Sequence, residues 1–229
     1  MKLALLAPLA AAMIAAPSIA DAQDRRVQGE EILRQLFGGQ AQSGWQIGPI
    51  LRGRSYSPGM PATAQPYGSG FVIDFPTRRD HHVHYVTKPV RSLAGARAIT
   101  VRYRIDAARG ARFVPQARPD QAATMSLYFQ RGGDNWSGSD RFKYYRWYAP
   151  TAKMKTLRPG EYEMTIRMDD PDWIAVSGGT KAGTVPREFA AALANASRVG
   201  IVFGSSSLRG HGVYATAPAR ITVTDFNIR

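Results

Sequence analysis

Ile99, Thr100, Val101, Arg102, Tyr103, Arg104, Ile105 and Asp106 alternate apolar and polar without a break. Side chains of an extended chain point alternately to its two faces, so Ile99, Val101, Tyr103 and Ile105 face a core and the rest face water. Glu161 to Met168 repeats the scheme, with Tyr162, Met164, Ile166 and Met168 inward. Phe71, Ile73 and Phe75 share a face in the same way. Further strands are expected at Val83–Val86, Ser126–Gln130, Tyr144–Tyr148, Trp173–Val176, Val199–Phe203 and Ile221–Ile228. In the last, the apolar parity slips between Val223 and Phe226, which predicts a β-bulge. About nine strands separated by turn-rich loops, with one short helix near 186–196, leave no βαβ alternation. The expected fold is all-β: a two-sheet antiparallel β-sandwich of jelly-roll type.

The chain before this region reads differently. Met1 and Lys2 precede a 14-residue apolar run, Leu3 to Ala16, and small residues follow up to Ala22. This is the layout of a secretory signal peptide, and the run is too short for a transmembrane helix. Residues 1–22 are read as the signal peptide, 23–45 as an amphipathic helix (Asp24 to Phe37) with its linker, and 46–229 as the β-sandwich. The expected location is the bacterial periplasm or exterior. Of 229 residues, none is Cys, which excludes disulfides, thiol nucleophiles and thiolate metal sites. Thirty Lys and Arg against 17 Asp and Glu give +13, a field that favours acidic partners.

Residues 126–148 carry most of the chemical character: eight of these 23 are aromatic, mixed with basic residues around a loop of Gly, Ser, Asp, Asn and Trp136. A sugar offers an apolar C–H face and a polar rim, so its site needs a flat ring beside short hydrogen-bonding groups. Trp136, Asp134 and Asn135 supply that mixture. Arg131 and Arg146 would pair with an acidic group. Tyr128, Gln130 and Tyr148 could stand on the same sheet face, with Tyr145 and Trp147 in the core. Aromatic residues also build β-sandwich cores, so the segment has a packing reading too; only Trp136, in a turn-like loop, resists it by pattern.

Other constellations point less sharply. His82 and His84 share a strand face at a spacing that binds metal if a third ligand such as His211 joins them, but no third ligand is set by spacing. No metal site and no cofactor are assigned. Glu161 and Glu163 on one face, with Asp169, Asp170 and Asp172 beyond, do not form the cross-cleft pair of a glycoside hydrolase. A lyase would need Tyr or His near Arg; Tyr128, Gln130, Arg102, Arg104, His82 and Tyr148 are the residues that would have to converge. No Gly-x-Ser-x-Gly or phosphate-loop context is present.

The alternating strands from Gly70 to Arg229, the aromatic-polar loop and the closing strand Ile221 to Arg229 resemble secreted bacterial jelly-roll modules, similar to galactose-binding-like and carbohydrate-binding domains. That resemblance implies glycan binding without catalysis. The expected function is therefore a non-catalytic protein of the envelope or exterior that binds an acidic polysaccharide or cell-surface glycan, with Trp136, Asp134, Asn135, Arg131, Arg146, Tyr128 and Tyr148 at its site. Nucleic acid and an integral membrane segment are not expected. The alternatives are a polysaccharide lyase acting on a uronate-containing glycan, and a structural envelope protein that docks a partner through its lead helix.

Overall fold

The computed structural model describes residues 44–229. The expected signal peptide and the Asp24–Phe37 helix lie outside them. Among the described residues sixteen strands follow one another. The first five are β1 (Gln46–Gly48), β2 (Ile50–Leu51), β3 (Arg54–Ser55), β4 (Gln65–Tyr67) and β5 (Gly70–Asp74). Next come β6 (Tyr85–Pro89), β7 (Ala98–Ala107), β8 (Phe113–Pro115), β9 (Ala123–Arg131) and β10 (Arg146–Tyr148). The chain continues through β11 (Lys155–Thr156), β12 (Gly160–Arg167), β13 (Ile174–Ala175), helix α1 (Pro186–Ala194), β14 (Ala196–Ser205), β15 (Val213–Ala215) and β16 (Ala219–Ile228). Proline at its N-terminal end starts α1, where a missing N–H costs no internal bond.

Two antiparallel sheets dominate. One runs β1-β6-β14-β9-β10-β13, with β11 also paired to β9; the other runs β12-β7-β16-β5-β4. The unbroken alternation of β7 is what lets it sit with one face wet: Ile99, Val101, Tyr103 and Ile105 are buried, whereas Arg102, Arg104 and Asp106 are exposed. Pairing of β16 with β7 slips between Val223 and Asp225, so the chain bulges where the apolar parity changes. Apolar side chains of both sheets belong to one core cluster, and Trp45 against Phe71 (4.8 Å between ring centroids) and Phe75 against Phe203 (5.5 Å) join them.

Two local expectations change. The strand expected at Tyr144–Tyr148 is only Arg146–Tyr148, because Asp140–Tyr144 closes into a 3-10 turn. The Tyr145 amide bonds back to the Phe142 carbonyl, and the Trp147 indole N–H donates to the Tyr144 carbonyl, so local bonds replace a ladder. Trp147 enters the core as expected, whereas Tyr145 stays half-buried beneath the Arg131 guanidinium. The strands beyond the expected set are pieces of two or three residues, too short for a period of two to register.

Candidate functional site

Strand β9 is buried on both faces. Leu127 and Phe129 point into the main core. On the other face, cross-strand register places Tyr148, Tyr128, Gly200, Thr87 and Gln46 in one row across five strands. The next row holds Arg146, Gln130 and Arg198. This face is polar in its sequence yet largely covered, because the loop after β9 folds back over it.

Asp134 organises that loop. Its carboxylate accepts the Trp136 amide N–H (3.0 Å) and the Gln130 carboxamide N–H (3.0 Å). Arg146 Nε lies 2.8 Å from Asp134 Oδ2, an ion pair rather than an aligned hydrogen bond. The guanidinium also donates to the Trp136 carbonyl (3.0 Å) and lies over the indole at 4.8 Å. The Asp134 side chain is 0% exposed and that of Arg146 9%. This clamp holds Trp136 at φ +66°, a left-handed conformation that costs a non-glycine residue about 1–2 kcal/mol.

Tyr85, Tyr128 and Tyr148 gather beneath the indole. The Tyr85 and Tyr148 hydroxyls share a 2.7 Å hydrogen bond, and Tyr128 donates to Gln130 Oε1 at 2.9 Å. The Trp136 and Tyr85 rings meet edge-on, 5.5 Å apart. Burial pushes the Tyr85 and Tyr128 hydroxyls well above the ordinary phenol range, and that of Tyr148 upward. These phenols stay neutral donors and acceptors.

Against this assembly opens a pocket of about 250 Å³, lined by Trp136, Tyr85, Tyr128 and Gln130, by Gln46 and Thr87, and by Arg131 and Arg198. Neither Arg131 nor Arg198 has a carboxylate within ion-pair distance among the described residues. The pocket therefore combines a ring, neutral hydrogen-bonding groups and two unneutralised guanidinium groups.

The sequence-derived residues divide accordingly. Trp136, Tyr128, Asp134 and Arg131 line the pocket, and Arg146 and Tyr148 support it from behind. Asn135 lies outside the lining; its side chain accepts the Ser137 amide and shapes the turn. Asp134 is occupied with the clamp, so its role is to position the indole rather than to meet a ligand hydroxyl. Sequence reasoning missed Tyr85, Thr87, Gln46 and Arg198. Arg198 sits on β14, the strand next to β9, and Tyr85 on β6, one strand further along the sheet, information that one chain's periodicity does not contain.

Arg102, Arg104 and Arg167 pair with Glu163, Asp106 and Asp169 on exposed surface. Arg102 and Arg104 lie in the sheet that lacks Tyr128, Gln130 and Tyr148, so the convergence required for a lyase does not form. His82 and His84 rings stand 4.6 Å apart. Burial, then neighbouring His82, hold the His84 imidazole down to about 3, and His211 adds to the effect. Among the described residues no group of three or more His, Asp or Glu is placed to hold a metal ion. None of their helices is long and apolar enough to cross a membrane. No family model matches the chain, and no curated protein shows significant similarity to it.

Proposed function

We propose that the protein is a non-catalytic glycan-binding protein of the bacterial envelope or exterior, exported by its N-terminal signal peptide, and that its ligand is an acidic polysaccharide. Two antiparallel sheets sharing one core accord with a β-sandwich of the carbohydrate-binding jelly-roll kind. The observation that carries the functional reading is the pocket beside Trp136, where two guanidinium groups without carboxylate partners among the described residues face neutral hydrogen-bonding side chains. A sugar ring lies against the indole, Gln46 and Thr87 meet its hydroxyls, and Arg198 or Arg131 takes its carboxylate in a charge-assisted pair. Burial keeps the Tyr85 and Tyr128 phenols in their neutral form near neutral pH, so they serve as hydrogen-bonding groups and no phenolate base stands ready for elimination.

Titration calorimetry against uronate-containing and neutral disaccharides tests this. Binding to the uronates is expected, weakened about tenfold by Arg198→Gln and abolished by Trp136→Ala. Absence of heat across the panel, or equal binding of neutral sugars, contradicts the reading. Release of unsaturated uronate during the titration would favour a lyase instead.

A further inference from the structure

Arg131 lies in the wall between two depressions. On one side is the pocket already described; on the other is a hollow of about 240 Å³ lined by Arg131, Arg141, Tyr144, Tyr145, Arg187 and Glu188. Resting on the acidic-glycan reading of the first pocket, we propose that this hollow is a second subsite and that the protein binds an extended polyanionic glycan across Arg131, one carboxylate-bearing sugar on each side.

Charge is the first support. Three guanidinium groups line the hollow against one carboxylate, and among the described residues none of Arg131, Arg141, Arg187 and Glu188 makes an ion pair. Elsewhere on the surface some exposed arginines find acids, Arg78 with Asp80, Arg118 with Asp120 and Arg220 with Asp74, while Arg79, Arg91 and Arg158 make no ion pair among the described residues. What distinguishes this place is that four guanidinium groups without an ion pair among the described residues, those of Arg131, Arg141, Arg187 and Arg198, line two adjoining depressions. Arrangement is the second support. Arg131 lies 4.7 Å over the Tyr145 ring and Arg141 4.7 Å over Phe142. A guanidinium on an aromatic face is less free to turn and keeps its planar edge available for bidentate contact with a carboxylate.

The local fold explains why the two sites adjoin. Arg131 ends β9, whose neighbouring strand β10 follows directly on the 3-10 turn that carries Arg141 and Tyr144. Helix α1 begins at Pro186, bringing Arg187 to the same edge. One residue on the sheet thereby serves both depressions, and linking two weak sites along one chain raises affinity without new chemistry.

Calorimetry with di- and hexagalacturonate distinguishes this inference from the reading it rests on. The hexamer is expected to bind about tenfold tighter than the dimer, with the gain shrinking as salt rises. The double variant Arg141→Gln, Arg187→Gln is expected to bind the dimer like the wild type, which also shows that it is folded, and to lose the gain with length. Equal affinities for dimer and hexamer, or a gain that survives the double variant, overturn the second subsite and leave the first pocket standing. If neither oligomer binds the wild type, both fail. If single-stranded DNA of matched charge displaces the hexamer at equal concentration, the glycan assignment is overturned.

Discussion

Trp136 is the residue on which the geometry of the pocket depends. A tryptophan in a left-handed backbone conformation persists only where its surroundings over-determine it. Here they do so through Asp134, which accepts the Trp136 amide, and Arg146, which donates to the Trp136 carbonyl. Both charges are withdrawn from water, so removing one leaves the other uncompensated. Asp134→Ala is expected to destabilise the fold by about 3–5 kcal/mol, measured by urea unfolding. Adding Arg146→Met to it should recover part of that loss, because a neutral side chain of similar reach no longer needs a counter-ion. A loss below about 1 kcal/mol for the single variant would mean that the clamp is not closed in solution. Tyr148 reinforces the same region from behind through its bonds to Tyr85 and the Arg209 carbonyl.

The elements show what a single sequence can and cannot convey. Strands β7, β12 and β16 were legible almost to the residue, because each has one wet face and the alternation records it directly. The bulge near Val223 was legible for the same reason. Strand β9 was harder: it packs against the core on one face and beneath the Trp136 loop on the other, so both parities are buried and Ser126 to Gln130 shows only part of its length. The 3-10 turn before β10 was hidden because Phe142, Tyr144 and Tyr145 have strand-like composition while local backbone bonds bend the chain. Strand β14 contains a further constraint. A Cβ at Gly200 would stand 2.1 Å from the Val86 carbonyl oxygen, so β14 and β6 approach as closely as they do only with glycine there. Gly200→Ala should force the two strands apart and cost about 1–3 kcal/mol, seen as a lowered melting temperature. An unchanged melting temperature would contradict that packing.

For the whole molecule, two properties follow from where its charges lie. The first is acid lability. The folded His84 imidazole titrates at about 3, far below its value of about 6.5 in an unfolded chain, because burial penalises the cation. Between those two values the unfolded chain takes up a proton that the folded chain does not, so stability falls as pH falls, by up to about 1.4 kcal/mol per pH unit from this residue. Below about 4 the arginine-paired carboxylates Asp74 and Asp169, whose folded values are lowered by those partners, add to the loss. Urea unfolding followed from pH 7 to 4 should show this decline, and His84→Gln should flatten it above pH 4; an identical slope in the variant would assign the effect elsewhere. The second property is the site. Composition revealed an aromatic and basic segment, and pattern singled out Trp136. The partners Tyr85, Thr87 and Arg198 come from strands distant in sequence and become neighbours only through the sheet order. The most direct test of the site uses the four indole N–H signals of the protein, since Trp45, Trp147 and Trp173 are buried in the core while Trp136 lines the pocket. Titrating digalacturonate into labelled protein should shift the Trp136 indole resonance and leave the other three in place; a stationary Trp136 signal at saturating ligand would contradict the account.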